Sequence, residues 1–193
     1  MDIKSLKSTN LKGKVSIPGD KSISHRSIIL SSIAEGISEI SGFLTGEDCL
    51  ATLDAFKKMG IKIDQHDRHI RVHGFGLNGL TKPNEDLDLG NSGTSMRLLA
   101  GLLSGQNFSS NLKGDSSLSS RPMNRIIEPL KKMGAIISLE GDTAPIAIQP
   151  SKELNGISYE LPVASAQVKS CIMLAGLYAQ TDTTIIENHQ TRN

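Results

Sequence analysis

The feature that most constrains the fold of this 193-residue chain is an internal repeat. Residues 56–63 (FKKMGIKI) correspond to residues 130–137 (LKKMGAII), 74 positions further along the chain. In both copies an amphipathic pattern ends in two lysines and a glycine, and a β-branched run follows. This order predicts a helix and then a strand, because lysine suits the carboxyl end of a helix and glycine ends it in the left-handed conformation. A period of this length is too long for a solenoid and indicates a repeated supersecondary unit.

The segments around the two copies correspond as well. Helical patterns at residues 22–34 and 93–104 are each followed by a glycine, Gly36 or Gly105, which we expect to end the helix. Pro129 interrupts the second helix of the second unit, where we expect a bend or an early end. Each unit reads strand–helix–strand–helix–strand–strand, which predicts an α/β fold with mixed sheets. The strands that follow the helices are expected at residues 37–41, 61–63 and 69–72 in the first unit and at 107–113, 135–139 and 145–149 in the second.

A third copy starts but does not finish. Residues 165–178 have a helical pattern and residues 183–187 a strand pattern, and Arg192 stands 71 positions beyond Arg121, which opens the second helix of the second unit. Because an incomplete unit leaves apolar faces and sheet edges uncovered, we expect the chain to be a fragment or one part of a larger assembly. The repeat units are expected at about residues 13–75, 76–150 and 151–193, with the last one truncated.

Composition and charge exclude several classes of protein. The chain has 21 Lys and Arg against 20 Asp and Glu, a net charge of +1, and its aromatic content is only 3% with no Trp. Nucleic-acid-binding proteins and polybasic membrane modules need a large excess of positive charge, so neither is expected. Cys49 and Cys171 do not suggest a disulfide framework, and no signal peptide or apolar run of ~18 residues is present. We therefore expect a cytoplasmic protein that does not span a membrane.

The most informative motif is GDKSISHRS at residues 19–27. It places Lys21 and Ser22 at the predicted start of a helix and Arg26 one turn later on the same face. Cations at a helix N-terminus oppose the helix dipole, and a bound anion that contacts the free N–H groups would offset that cost. The alternative is a serine-capped helix whose basic side chains are simply solvated.

Three further segments have the composition of ligand-binding loops and helix starts. The segments GNSGTSMR (residues 90–97) and ASAQVK (residues 164–169) place small residues where a ligand can approach the backbone. In GDSSLSSRPM (residues 114–123), Pro122 is expected at the first helical position, and Arg121 before it can bind a carboxylate or phosphate through two parallel bonds. Each segment alone is compatible with an ordinary capped helix or a surface arginine. Their recurrence at matching places favours a common cleft.

The remaining features predict no metal or cofactor. His66, His69 and His73 lie across a predicted hairpin without accompanying cysteine or carboxylate ligands, so we expect no metal site there. The sequence contains no P-loop and no Gly-x-Ser-x-Gly nucleophile elbow. These absences argue against P-loop nucleotide chemistry and serine-hydrolase chemistry.

Four motifs occur in order: DKSxSHR at residues 20–26, GNSGTxMR at 90–97, GDxSLxxRPM at 114–123 and ASAQVKS at 164–170. Together they resemble the EPSP synthase family, the 3-phosphoshikimate 1-carboxyvinyltransferases, and the resemblance extends from about residue 11 to residue 193. The SAQVKS and SLxxRPM forms are more similar to the class II branch of the family than to class I. Gly93 stands where some glyphosate-tolerant members carry alanine.

The resemblance implies a fold of two similar domains, each an inside-out α/β barrel of three βαβαββ units, with the active site in the cleft between them. Residues 13–193 would then form most of one substrate-binding domain, and residues 1–12 a strand that belongs with the other. The family's proton acceptor lies in the absent C-terminal half, so no catalytic residue is assigned in this chain. We expect the chain to be inactive alone and to need that C-terminal half as its partner.

The resemblance also implies a reaction, a step of the shikimate pathway to the aromatic amino acids. The enolpyruvyl group of phosphoenolpyruvate passes to the 5-hydroxyl of shikimate 3-phosphate, giving 5-enolpyruvylshikimate 3-phosphate and phosphate, without a cofactor. Glyphosate is the implied inhibitor. The implied shikimate 3-phosphate-binding residues are Lys21, Ser22, Arg26, Ser165, Ala166, Gln167 and Arg192. The implied phosphoenolpyruvate-binding residues are Lys21, Gly93, Arg121 and Gln167.

Two other functions stay open at this point. The sister family that transfers an enolpyruvyl group to UDP-N-acetylglucosamine also has the βαβαββ domain, but it carries a Lys-Asn pair and a catalytic cysteine loop. Here Ser22 follows Lys21, and neither cysteine lies in a glycine-rich loop. The other alternative is a non-catalytic fragment that acts as a partner-dependent interaction module.

Overall fold

The structure is a computed structural model and describes residues 3–7 and 10–188. Its helices are α1 (Lys21–Ile33), α2 (Glu47–Lys58), α3 (Gly93–Leu103), α4 (Ser116–Ser119), α5 (Asn124–Lys132) and α6 (Ala166–Gly176). Its strands are β1 (Glu35–Ile40), β2 (Lys62–His66), β3 (His69–Phe75), β4 (Leu87–Asp88), β5 (Ser110–Lys113), β6 (Ile136–Glu140), β7 (Thr143–Gln149), β8 (Ser158–Glu160) and β9 (Thr184–Ile186). Within the described ranges, no helix combines the length and the apolar character needed to cross a bilayer.

Each repeat unit forms its own small sheet, and the three sheets follow one plan. In the second unit the strand order is β4–β5–β7–β6, with β4 and β5 parallel and the other neighbours antiparallel. The first unit has the order β1–β3–β2, which repeats the β5–β7–β6 part of that sheet. The third has the parallel pair β8–β9, which repeats β4–β5. The predicted α/β fold of repeated units with mixed sheets is therefore confirmed.

The two copies of the KKMG motif have the same backbone structure. Gly60 and Gly134 have φ angles of 86° and 96°, in the left-handed region that glycine tolerates best. In both copies the residue after the glycine donates its N–H to the carbonyl five positions earlier, at 3.0 Å. The preceding methionines, Met59 and Met133, are fully buried. The helix ends predicted from the lysines and the glycine are thus confirmed.

Three predictions about helix boundaries are wrong. Gly36 does not end α1, because the chain already becomes extended at Ala34 and Gly36 lies inside β1. Pro122 does not open α5, because the serine-rich segment before it forms α4 and the next helix starts two residues later, after the cap at Met123. Of the bend or early end expected at Pro129, the early end is wrong, because α5 continues through this residue to its last lysine. Its ring is buried on the apolar side of the helix, where packing compensates for the lost backbone hydrogen bond.

The N-terminal segment has no regular secondary structure within residues 3–7 and 10–20. The opening strand predicted for the first unit is therefore absent from these ranges, and β1 has no described neighbour where β4 lies beside β5 in the second unit. Leu11, Val15 and Ile17 are 88%, 85% and 78% exposed, so they gain no burial from the rest of the chain. That residues 1–12 belong with a second domain stays a prediction.

The first helices of the three units pack side by side in the core. Nine of the eleven residues of α3 are buried, and α3 lies against both α6 and α1. Gly101 brings the backbones of α3 and α6 close together, because a Cβ at this position would run into the carbonyl oxygen of Cys171. Thr94 and Gln167, each in the first turn of its helix, are hydrogen-bonded at 3.0 Å, so the two helices start together. Because Gly101 meets Cys171 further along both helices, α3 and α6 run in the same direction.

We predict that Gly101→Ala destabilises the fold although alanine is the better helix former. Helix propensity favours alanine by about 1 kcal/mol, but the new methyl group must push back the α6 backbone, and overpacking a core costs about 1–3 kcal/mol. Urea titration should therefore show a lower free energy of unfolding. The matched control is Gly176→Ala, whose Cβ would lie 3.2 Å from the side chain of Thr183, and we expect a smaller effect there. Equal losses in the two variants would contradict the close contact between α3 and α6.

Candidate anion-binding site

The N-termini of α1, α3 and α6 are capped in the same way and lie near one another. The capping oxygen atoms belong to Asp20, Ser92 and Ser165, and each accepts the backbone N–H three residues later, at 2.8, 3.2 and 3.3 Å. Arg26, one turn into α1, donates to the hydroxyl of Ser170, one turn into α6, at 2.6 Å. Each helix start carries partial positive charge and N–H groups without a helical partner, so three such ends together favour an anion.

A buried network of polar side chains links the starts of α1 and α3. Nδ1 of His25 lies 2.8 Å from the hydroxyl of Thr52, which lies 2.5 Å from that of Ser95, which lies 2.6 Å from that of Ser92. The four residues belong to α1, α2, α3 and the α3 cap, and all are buried. Sequence reasoning missed this network, because its members are far apart along the chain and their contacts depend on how the helices pack.

His25 is a neutral, buried member of that network. Burial lowers the pKa of His25 to about 4, and the positive charge of Lys21 and Arg26 acts in the same direction, against the opposing effect of Asp48. Its Nε2 atom has no hydrogen-bond partner in the described part of the chain. The ring therefore serves as an uncharged connection between helices rather than as a cation for a ligand.

Lys21 is the first residue of α1 and forms an ion pair with Asp48 in the first turn of α2. The lysine side chain is about half exposed, at 52%, so its ammonium remains accessible from solvent. Cys49 lies behind this pair and is buried, which raises the pKa of its thiol to about 11, with Asp48 and Asp20 contributing and Lys21 opposing. The thiol is therefore protonated at neutral pH and is not poised as a nucleophile.

Arg121 is fixed beside the start of α3 by neutral acceptors. Its Nη2 donates to Oδ1 of Asn91 at 2.7 Å and to the hydroxyl of Ser117 at 3.3 Å, and its Nη1 donates to the carbonyl of Asn91 at 3.4 Å. Gly93 lies directly below, because a Cβ there would be 3.2 Å from Nη1 of Arg121 and 2.8 Å from Nη1 of Arg97. Only glycine at position 93 leaves both guanidinium groups where they are.

Arg97 is a site residue to which sequence reasoning assigned no role. Its Nη1 donates to the carbonyl of Gly93 at 3.2 Å and to Oε1 of Gln167 at 3.0 Å, and its Nη2 donates to the carbonyl of Pro122 at 3.2 Å. Burial lowers the pKa of Arg97, and the positive charge of Arg121 and Arg125 lowers it further. Gln167 is thereby fixed in orientation between Arg97 and Thr94. The only sequence signal was the position of Arg97 at the end of the GNSGTSMR motif.

The structure brings most of the predicted residues to one end of the helix core. Gly93, Arg121 and Gln167 surround Arg97 directly, and Ser165 and Ala166 are at the start of α6 with Gln167. Lys21, Ser22 and Arg26 lie in the first two turns of α1, which is linked to α6 through Ser170 and to α3 through the buried network. Arg192 lies outside the described residues.

The histidine-rich hairpin lies apart from this site, on β2 and β3. Nε2 of His73 is 3.1 Å from a carboxylate oxygen of Asp64, and this contact lowers the pKa of Asp64. Within residues 3–7 and 10–188, no group of three or more His, Cys, Asp and Glu side chains has an arrangement that could hold a metal ion.

We predict that His25 makes the fold less stable in mild acid. Because its folded pKa of about 4 lies below the ordinary value of 6.5, the unfolded chain binds a proton that the folded chain does not. The free energy of unfolding should therefore fall as pH decreases from about 6.5 to 4, by up to about 3 kcal/mol, and this contribution should level off below pH 4. Urea titrations of His25→Asn should lack this component. His69→Asn, on the exposed end of a hairpin, is the control, and identical pH profiles for His25→Asn and the unchanged chain would contradict the prediction.

Comparison with known proteins gives the family of the chain. The family model for EPSP synthase (3-phosphoshikimate 1-carboxyvinyltransferase) matches residues 6–192. The 3-phosphoshikimate 1-carboxyvinyltransferase of Hydrogenovibrio crunogenus is 57% identical over 185 residues, which are 95% of this chain and 42% of that protein. The one from Ruthia magnifica is 57% identical over 189 residues, 97% of this chain and 43% of that protein.

A solved structure gives the same result at the level of the fold. EPSP synthase from Acinetobacter baumannii matches with a TM-score of 0.91 and 53% sequence identity, covering 94% of this chain and 41% of that chain. The chain therefore spans about two fifths of the length of the relatives it matches. Since the family model covers nearly all of it, the chain belongs to the EPSP synthase family.

Proposed function

We propose that this chain supplies one substrate-binding half of a cytoplasmic enzyme of the shikimate pathway. The enzyme transfers the enolpyruvyl group of phosphoenolpyruvate to the 5-hydroxyl of shikimate 3-phosphate and releases phosphate. The observation that carries the proposal is the convergence of three capped helix N-termini with Lys21, Arg26, Arg97 and Arg121 at one end of the helix core. Two polyanionic substrates need such a concentration of positive charge to lie side by side.

The shikimate 3-phosphate subsite is assigned to the starts of α1 and α6. The cations of α1 and the free N–H groups at both helix starts suit a phosphate dianion. The amide of Gln167, fixed by Arg97 and Thr94, presents a defined set of polar atoms to the ring hydroxyls. The proposed residues are Lys21, Ser22, Arg26, Ser165, Ala166, Gln167 and Arg192.

The phosphoenolpyruvate subsite is assigned to the start of α3. The absence of a side chain at Gly93 lets an anion approach the backbone between two guanidinium groups, and Arg121 can bind a carboxylate or phosphate through paired bonds. Glyphosate, which carries a phosphonate and a carboxylate, is proposed to compete for the same cations. The proposed residues are Lys21, Gly93, Arg121 and Gln167.

In the proposed reaction these side chains bind and orient, and they do not transfer protons. The 5-hydroxyl oxygen bonds to C2 of phosphoenolpyruvate, C3 gains a proton, and the hydroxyl proton passes to a base. Loss of a proton from C3 and of phosphate from C2 then restores the double bond. The positive charges of Lys21, Arg26 and Arg121 offset the repulsion between the two anionic substrates. The substrates can then be bound side by side, and the reaction between them no longer depends on a collision in solution. The ammonium of Lys21 has three donors and can bind a phosphate while it stays paired with Asp48.

The partner of the chain is proposed to be the remaining half of the same enzyme. The matched relatives are more than twice as long as the segment they share with this chain. The resemblance assigns the proton acceptor and further phosphoenolpyruvate-binding arginines to that half. Closure of the two halves would exclude water and bring both sets of cations to the substrates.

We predict that the chain binds shikimate 3-phosphate through Lys21. In a calorimetric titration, with and without phosphoenolpyruvate, Lys21→Met should weaken binding roughly tenfold to hundredfold, because a charge-assisted bond to a phosphate is lost. The circular dichroism spectrum should not change. Lys62→Met, an exposed lysine of β2, is the matched control and should bind as the unchanged chain does. Unaltered affinity in Lys21→Met would contradict the assignment of this residue, and a folded unchanged chain that binds neither ligand would contradict a site formed by this chain alone.

We also predict that the chain gives activity only after it is combined with a purified C-terminal half. Each half alone should produce no phosphate from the two substrates, and the mixture should produce it, because the proposed proton acceptor and the site described here are then in one cleft. Gel filtration of the mixture provides the control for association. Halves that elute together but show no turnover would contradict complementation and favour the non-catalytic interaction module.

A further inference from the structure

Arg121 differs from Lys21 in the kind of group that holds it. Lys21 contacts a carboxylate directly, that of Asp48. In the described part of the chain, the acceptors of the Arg121 guanidinium are two hydrogen-bonding atoms of Asn91 and the hydroxyl of Ser117, and all are neutral. These neutral acceptors therefore orient the guanidinium of Arg121, and none of them forms an ion pair with it.

On the side of Asn91 that does not contact Arg121 lies a carboxylate, that of Asp115. Nδ2 of Asn91 donates to Oδ2 of Asp115 at 3.0 Å, while Oδ1 of Asn91 accepts from Arg121 at 2.7 Å. The same aspartate caps α4 by accepting the N–H of Leu118 at 2.7 Å. That hydrogen bond is the main reason why the pKa of Asp115 is lowered, with the bond from Asn91 contributing next. Asp115 is thus ionised at neutral pH and can only accept hydrogen bonds.

The two neighbours fix which way the Asn91 amide points. An ionised carboxylate requires the NH₂ group on one side, and a guanidinium, which has only donors, requires the oxygen on the other. The reversed amide would oppose NH₂ to guanidinium and oxygen to carboxylate, so it is excluded by both contacts at once. Asn91 therefore connects a cation to an anion through a single defined orientation.

We propose that Asn91 is a positioning residue that aims the Arg121 guanidinium while keeping its positive charge available to an anionic substrate. The inference rests on the proposed function, since it concerns the phosphoenolpyruvate subsite. A carboxylate in the place of the amide would make the same hydrogen bond to Arg121, but the incoming anion would then have to compete with it for the guanidinium. The amide of Asn91 orients the guanidinium of Arg121, and it separates that guanidinium from the negative charge of Asp115.

The test separates position from charge with four variants. Asn91→Ala removes the oxygen that aims Arg121. Asn91→Asp keeps an acceptor but places a carboxylate on the guanidinium and beside Asp115. The exchange Asn91→Asp with Asp115→Asn restores the hydrogen bonds and the total charge, and asparagine still caps α4. Asn111→Asp is the matched control. Asn111 lies on β5, away from the site, and like Asn91 it is an exposed asparagine that donates to an aspartate, Asp86.

Two measurements are made on each variant of the chain. Calorimetric titration with phosphoenolpyruvate gives affinity, and the NMR signal of the Arg121 Nε–H group reports whether the guanidinium is held in place. We expect Asn91→Ala to broaden or shift that signal and to lower affinity roughly threefold to tenfold. We expect the exchange variant to keep a well-defined Arg121 signal and still to lower affinity by more than tenfold, because its guanidinium is paired with a carboxylate.

Each outcome decides between the alternatives. If the exchange variant binds phosphoenolpyruvate as the unchanged chain does, the neutrality of Asn91 has no role and the proposal is overturned. It is also overturned if Asn91→Ala leaves both the Arg121 signal and the affinity unchanged. Arg121→Gln distinguishes these failures from that of the proposed function: if this variant binds as tightly as the unchanged chain, or if the unchanged chain binds no phosphoenolpyruvate, the subsite itself is wrong and Asn91 has nothing to position. The Asn111→Asp control should match the unchanged chain.

Discussion

The parallel packing of α1, α3 and α6 is the constraint on which the candidate site depends. The close approach at Gly101 sets the distance between α3 and α6, and the hydrogen bond of Gln167 to Thr94 sets their relative level. The buried hydroxyl and imidazole groups of Thr52, Ser95 and His25 connect α1 to α3. Because the helices run in one direction and start together, their positive ends meet in one place. A register shift of one turn in any of them would move its N-terminus by about 5 Å and separate the groups proposed to bind the anion.

This arrangement creates an electrostatic problem, since cations repel one another when no anion is present. The described structure orients the three arginines of the site with neutral oxygen atoms, which satisfy their donors without cancelling their charge. The acceptors are the hydroxyl of Ser170 for Arg26, the amide of Gln167 for Arg97 and the amide of Asn91 for Arg121. The ion pair lies at Lys21, whose compact ammonium can bind two anions at once. The cationic side chains are thus held in fixed orientations, and most of them are not neutralised by a contacting carboxylate.

The sequence predicted those features that local patterns determine. The KKMG repeat identified the units, similar patterns gave the order of most helices and strands along the chain, and small or basic residues at the helix starts identified most of the candidate site. Contacts between distant positions were not predictable: Arg97 with Gln167, His25 with Thr52, and Lys21 with Asp48 depend on how the units pack. The continuation of α5 through Pro129 has the same cause, because packing around this residue outweighs its local tendency to break a helix.

The repeat also accounts for the different side chains at the three helix starts. Each unit contributes one helix start, and the three have diverged in the side chains they carry there, which are basic in the first, glycine-rich in the second and amide-bearing in the third. The carboxylates that the described structure places against these residues are all engaged: Asp20 caps α1, Asp48 pairs with Lys21, and Asp115 caps α4 and orients Asn91. A carboxylate can act as a general base only where it is free to accept the proton of the reacting hydroxyl. Freeing any of these three would release a helix cap or a cation, which is consistent with the proposal that the proton acceptor belongs to the other half.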